Sequence, residues 1–187
     1  MSNFDHFSFF APYYDRLIPP GSRQKLLEML ALSPHHRVLD AGGGTGRIAQ
    51  ILQEYVSQVV VADISFGMLR EAGIKGSVQP VNTPIEKLPF EAETFDRIVV
   101  VDALHHVMDQ TKTAQELWRV LKPGGRIVIE EPDIRTFTIK LIALGEKILL
   151  MRSHFLSPSG IGELFKSLPA QSSIDTENNN AWIVITR

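Results

Sequence analysis

The chain has 187 residues, 44% hydrophobic and 21% charged, which suits one domain with a proper core and is short for two. A formal net charge of −2 gives no general attraction to nucleic acid or anionic membrane, and the absence of cysteine excludes disulfides, thiolate metal sites and a cysteine nucleophile. Residues 1–20 lack a basic start followed by an apolar run, so no signal peptide is expected and a cytoplasmic location is the default.

Taken in order, the chain opens on aromatics (Phe4, Phe7, Phe9, Phe10, Tyr13, Tyr14) and breaks at Pro19-Pro20-Gly21. Ser22 caps a predicted helix to Leu32, with Leu26, Leu27, Leu30 and Ala31 on one face. A first strand at 37–39 runs into Asp40 and the glycines 42–46, and a helix follows to about Tyr55. A second strand, 57–62, ends at Asp63, and Ser65 caps a helix to about Ala72. A short third strand at 77–81 and a connection at 84–90 with two prolines lead to the run Ile98-Val99-Val100-Val101, a strand spanning 95–102. A helix at 113–121 stops at a tight turn, Lys122-Pro123-Gly124-Gly125, before a fifth strand at 126–130. Helices are predicted at 137–151 and at 157–168, the second capped by Ser157 or Ser159, and 172–186 reads as a hairpin turning at Asn178-Asn179-Asn180. The stretch 137–151 is too short and too charged to span a bilayer.

Near-continuous Val/Ile strands separated by helices predict a parallel α/β sheet covered on both faces. Right-handed crossovers bring the strand C-terminal ends to one edge, where ligands bind in such folds. Asp40, Asp63, Asp102 and Glu130 or Glu131 fall at that edge. Glycine at 42–46 allows positive φ and close ligand approach, and free N–H groups at the following helix N-terminus are expected to face an electron-rich group. A dinucleotide fingerprint counted from Gly42 needs a small residue at the position of Arg47, and no Gly-Lys-Ser/Thr follows for a phosphate-binding loop. Asp63, 23 residues after Asp40, is placed to accept both ribose hydroxyls.

The stretch Val38-Leu39-Asp40-Ala41-Gly42-Gly43-Gly44-Thr45-Gly46 resembles the first motif of class I S-adenosylmethionine-dependent methyltransferases. Val61-Ala62-Asp63-Ile64-Ser65 with Met68, Leu88-Pro89-Phe90 leading to Phe95-Asp96, and Leu121-Lys122-Pro123-Gly124-Gly125 agree in order and spacing. With Phe10-Ala11-Pro12-Tyr13-Tyr14-Asp15, the resemblance is closest to the small-molecule branch that includes the ubiquinone/menaquinone biosynthesis C-methyltransferases, over about residues 10–132. It implies a Rossmann-like three-layer sandwich with a mostly parallel seven-stranded sheet and an antiparallel C-terminal hairpin strand. It also implies one domain over 1–187, with 1–21 and 134–156 as lid segments. The cofactor implied is S-adenosylmethionine, with no metal. The acceptor is a small apolar or aromatic molecule, with neither nucleic acid nor membrane insertion involved.

For the site, the resemblance implies that Gly42, Gly44 and Gly46 pass beneath the methionine and ribose and that Asp40 holds the methionine ammonium. Asp63 would bind the ribose, Ile64 and Met68 would pack on adenine or ribose, and Asp102 and Ala103 would line the methionine side. Tyr14 would belong to the lid. Pro84-Ile85 stand where the family often has an Asp-Ala pair at the adenine edge, leaving the Ile85 backbone or the Thr83 hydroxyl for that contact. No catalytic residue is assigned. His105 and His106 are the candidates for a base, against packing or cofactor lining, while Glu130, Glu131 and Asp133 are expected to be solvated turn acids. The alternatives to turnover are a cofactor-binding protein without activity and an NAD-dependent oxidoreductase.

Overall fold

The computed structural model describes residues 23–74, 76, 78–136, 139–140, 153–177 and 179–187. The aromatic start, Tyr14, Ser22 and nearly all of the predicted 137–151 helix lie outside the described residues. The elements are α1 (Arg23–Leu30), β1 (Arg37–Ala41), α2 (Arg47–Leu52), β2 (Gln58–Asp63), α3 (Phe66–Ile74), β3 (Gln79–Asn82), β4 (Phe95–Val101), α4 (Gln110–Val120), β5 (Leu121–Pro132), α5 (Pro158–Glu163), β6 (Gln171–Glu177) and β7 (Asn180–Thr186). A 3₁₀ turn at Leu104–His106 joins β4 to α4.

Seven strands form one sheet in the order β3-β2-β1-β4-β5-β7-β6. The first five pair in parallel, and β7 joins β5 and β6 antiparallel. Strand alternation sends side chains into two cores. Leu39, Val60, Ile98 and Ile127 pack with Ala114, Leu117 and Trp118 of α4 and Ile161 of α5. Val38, Val59, Val61, Val99 and Val128 pack with Leu26 and Leu30 of α1, Ile48 and Leu52 of α2 and Leu69 of α3. Burial of each such aliphatic side chain contributes about 1.5–3 kcal/mol, so strands covered on both faces must be apolar throughout. The result is the expected three-layer α/β sandwich.

Three of the boundaries that differ from expectation have a direct physical cause. Helix α4 starts at Gln110 because Asp109 caps it, accepting the Lys112 N–H at 2.9 Å. Residues 122–125 are not a free turn before the fifth strand; they belong to β5, which begins at Leu121. Against β4 the register moves from Phe95↔Leu121 to Arg97↔Arg126, so β5 bulges there, with Gly124 at φ 75° and its N–H on the Arg187 carbonyl. The predicted 157–168 helix is regular only over α5, where the Ser157 hydroxyl accepts the Gly160 N–H, and continues as turns.

Candidate functional site

The ends of β1, β2 and β4 open onto one cleft lined by Asp40, Gly42, Gly44, Arg47, Asp63, Ile64, Met68, Pro84, Ile85, Asp102, Ala103 and His106, among others. Three of the described sequence-predicted residues, Thr83, Gly46 and His105, are not among its lining. The Thr83 hydroxyl donates to the Lys87 carbonyl at 2.8 Å, closing the turn before Leu88. Gly46 (φ 73°) packs against α3, where a Cβ would lie 2.9 Å from Ala72 Cβ. It therefore serves the seating of α2 on α3 rather than the cleft.

The glycine loop is held from within. Gly42 and Gly43 N–H both donate to the Ala62 carbonyl (2.7 and 3.3 Å), Gly44 N–H to Asp63 Oδ2 (2.9 Å) and Gly46 N–H to the Gly43 carbonyl (2.9 Å). The expectation of free loop N–H groups for an electron-rich ligand is corrected at these positions, since crossing from β1 to β2 consumes them. Asp40 lies directly beneath Gly43, where any Cβ would sit 2.5 Å from its Cγ. Its Oδ2 accepts the Ala49 N–H at 3.1 Å, while Oδ1 is buried with no hydrogen-bond partner among the described residues. Burial pushes its pKa up from 3.8 to about 7, and the Arg47 charge opposes the rise.

Asp63 accepts Gly44 N–H on Oδ2 and Ser65 N–H on Oδ1 (2.8 Å), which fixes the plane of its carboxylate. Ile64 is 73% exposed at the rim, while Met68 and Ile85 are buried in the cleft walls.

After β4 the chain turns at Asp102 in the left-handed region (φ 52°). Asp102 pairs with Arg47 at 3.1 Å; burial raises its pKa, as does the nearby Glu131, and Arg47 pulls the other way. Glu130, Glu131 and Asp133 are not solvated acids: they are only 2%, 3% and 4% exposed. Glu130 takes the Asn180 side-chain amide at 2.7 Å, and burial next to Asp102 lifts its pKa to about 7. Asp133 is clasped by the Arg135 guanidinium. Glu131 accepts the Ala103 and Leu104 N–H groups and faces His105 Nδ1.

The two histidines separate in role. His105 is outside the cleft lining, its ring on Glu131 and stacked on Phe155 with centroids 4.3 Å apart. His106 lines the cleft with Nδ1 3.3 Å from the Ser153 hydroxyl, and burial beside His105 drops its pKa to about 3. No group of ligating residues that could hold a metal occurs among the described residues. Arg47, Glu86 and Glu131 are site residues that sequence reasoning did not assign. For Arg47 a signal was available, since it opens α2 directly after the loop.

Residues 39–129 match the family model described as a methyltransferase domain. The ubiquinone/menaquinone biosynthesis C-methyltransferase UbiE of Vibrio vulnificus is 40% identical over 108 residues, covering 52% of this chain and 42% of that protein. UbiE of Serratia proteamaculans is 39% identical over 138 residues, covering 68% of this chain and 53% of that protein. The chain belongs to the class I S-adenosylmethionine-dependent methyltransferases. It spans about half the length of the curated relatives it matches. The S-adenosylmethionine-dependent methyltransferase of Mesorhizobium loti shares the fold, with a TM-score of 0.77 at 16% identity over 90% of this chain and 99% of that one.

The cofactor of this methyltransferase family is S-adenosylmethionine, and the residues present fit it. The unpartnered, buried Asp40 Oδ1 suits the methionine ammonium, and a carboxylate already oriented by two N–H groups suits a ribose diol. Ile64, Met68 and Ile85 give apolar walls for the adenine.

Proposed function

We propose that this chain transfers the methyl group of S-adenosylmethionine to a small apolar or aromatic molecule, with quinol-type carbon acceptors the first class to test. The observation that supports it most is the sharing of one cleft by Asp40, Asp63 and His106, between otherwise apolar walls. The cofactor supplies a methyl group on a sulfonium, and the transfer demands chiefly alignment of donor and acceptor. Asp40 and Asp63 anchor the two ends of the cofactor, and Val101, Ala103 and Val107 exclude water beside it.

His106 is the cleft histidine we assign to the acceptor; burial lowers its pKa to about 3, so its neutral ring serves to accept a hydrogen bond and orient the acceptor and is a weak base for taking its proton. His105 is left to orient the turn. The single domain with lids at 1–21 and 134–156 belongs to the same proposal, supported by the seating of Ser153–Phe155 on the histidine turn: His154 N–H donates to the His105 carbonyl at 2.7 Å. So do a cytoplasmic setting and the exclusion of nucleic acid, on the −2 net charge. No helix among the described residues is long and apolar enough to cross a membrane.

The test is incubation with methyl-labelled S-adenosylmethionine and a panel of hydroquinones, naphthoquinols, catechols and RNA, reading S-adenosylhomocysteine and labelled product by mass spectrometry. Label in an aromatic product is expected. Cofactor binding with no product across the panel would favour a binding protein without turnover. NAD binding without S-adenosylhomocysteine binding would favour the oxidoreductase.

A further inference from the structure

We infer that Glu86 accepts the 6-amine of the adenine and so sets which base the methyl donor must carry; this rests on S-adenosylmethionine being the ligand of the cleft. The sheet order fixes where the base falls. Neighbouring strands run β3-β2-β1-β4, with Asp40 near the end of β1, Asp63 at the end of β2 and Asp102 directly after β4. With the ammonium on Asp40 and the ribose on Asp63, the base lies beyond the ribose, on the side of β3. The cleft there is lined by Ile64 and Met68, which follow β2, and by Pro84, Ile85 and Glu86, which follow β3.

The chemistry of adenine narrows its partner. The ring nitrogens accept hydrogen bonds, and the 6-amine is the one donor group. A backbone N–H such as that of Ile85 therefore serves the ring and not the amine, and Pro84 has no N–H. The Thr83 hydroxyl is turned to the Lys87 carbonyl, the Ile64 carbonyl already takes the Asn82 side-chain amide at 2.9 Å, and the Pro84 carbonyl takes the Lys87 N–H at 3.1 Å. Four carboxylates line the cleft: Asp40, Asp63, Glu86 and Asp102. Asp40 and Asp63 serve the ammonium and the ribose, and Asp102 is paired with Arg47, which leaves Glu86. Glu86 is half-buried, and its Oε1 accepts the Met108 N–H at 2.9 Å. Among the described residues that is its one hydrogen bond, so the carboxylate is held at one oxygen and presents the other. Its backbone is held as well, because the Leu88 N–H sits on Glu116 and the Leu88 and Phe90 carbonyls sit on Arg119. The acceptor is in place before the base arrives.

The test is titration calorimetry with S-adenosylhomocysteine and with its 6-deamino analogue, in which hydrogen replaces the amine. The wild-type chain is expected to bind S-adenosylhomocysteine about 10–100-fold more tightly, as for a hydrogen bond to a charged group. Glu86→Ala should erase this preference while binding the deamino analogue within about threefold of wild type. Glu86→Gln has one acceptor oxygen for two donors, the Met108 N–H and the amine, and should keep a preference of about threefold or less. Equal wild-type affinity for both ligands, or a preference undiminished in either variant, would overturn the assignment. If Glu86→Ala fails to fold, the wild-type comparison and Glu86→Gln still decide. S-adenosylhomocysteine binding without a preference removes only the role of Glu86, whereas wild type binding neither ligand removes the cofactor reading as well.

Discussion

Glu131 at the end of β5 and His105 in the turn after β4 form a buried pair, both side chains 5% exposed or less. The other Glu131 oxygen accepts the N–H groups of Ala103 (3.0 Å) and Leu104 (2.7 Å). One carboxylate thus pins three successive residues behind the left-handed Asp102. Glu131→Ala strands three buried donors, and the expected loss is roughly 3 kcal/mol or more, since each unsatisfied buried group costs about 1–3 kcal/mol. Glu131→Gln keeps an acceptor for the two backbone groups and should lose less. Urea unfolding of both variants measures this; a loss under about 1 kcal/mol in Glu131→Ala would contradict the pinning.

Asp40 links cofactor binding to pH. Its folded pKa, about 7, stands above the ordinary 3.8, so between these values the native chain holds a proton that the unfolded chain has released. This group's contribution to stability therefore falls as pH rises from about 4 to 7. An ammonium placed against Oδ1 favours the ionised form, so S-adenosylhomocysteine binding at pH 6 should expel a proton. Calorimetry in buffers of different ionisation enthalpy reads that release directly. Glu130 shares the pH window, so the comparison is with Asp40→Asn, in which the release from this site should vanish.

Two glycines of one loop should fail differently. Gly46→Ala meets Ala72 at 2.9 Å from a positive φ, and a loss of about 1–3 kcal/mol in stability is expected, with cofactor affinity of the folded chain nearly unchanged. Gly43→Ala drives into the Asp40 carboxyl at 2.5 Å and should abolish S-adenosylhomocysteine binding. Thermal melts and calorimetry on both variants separate the outcomes; identical behaviour would refute the division of labour.

His106 carries acid sensitivity. Its folded pKa is about 3 against an ordinary 6.5, so the unfolded chain takes up a proton below pH 6.5 that the native chain refuses until about pH 3. Stability from this group is complete above 6.5 and is lost as pH falls toward 3. Relative to His106→Asn, the wild-type chain should melt at a progressively lower temperature between pH 7 and pH 5. A constant difference across that range would mean that the ring is solvated.

Asp63→Ala should weaken S-adenosylhomocysteine binding by about 1–3 kcal/mol, the range for a hydrogen bond to a charged group. It also releases Gly44 and Ser65 N–H groups, so the ligand-free chain should melt at a lower temperature. Unchanged affinity in calorimetry would count against the ribose assignment.

The parallel core and the acids at its edge were readable from the chain because runs such as Val59-Val60-Val61 have no other stable placement than a strand covered on both faces. The β5 boundary was not readable. Pro123, Gly124 and Gly125 have turn chemistry, and what makes them strand is pairing with Arg187, at the far end of the sequence. Glu130 and Glu131 were misread for the same reason: their burial is created by β7 and by the turn after β4, neither visible in local pattern. Asp40, Gly42, Gly44, Asp63, Ile64, Met68, Ile85, Asp102 and Ala103 line one cleft. Thr83, Gly46 and His105 do not, because a hydroxyl, a glycine or an imidazole can serve a turn, a helix contact or a buried carboxylate as readily as a ligand.

The inward-facing hydrogen bonds of residues 42–46 make the cradle a finished mould before any ligand enters. Little backbone ordering remains to oppose binding, so affinity is governed by a few side chains and by water displaced from apolar walls. Donor analogues that keep the nucleoside and amino-acid ends but carry a larger transferable group on sulfur would meet the same rigid seat. With His106 as the acceptor-side residue, as proposed, their fate would be decided on the His106 side of the cleft.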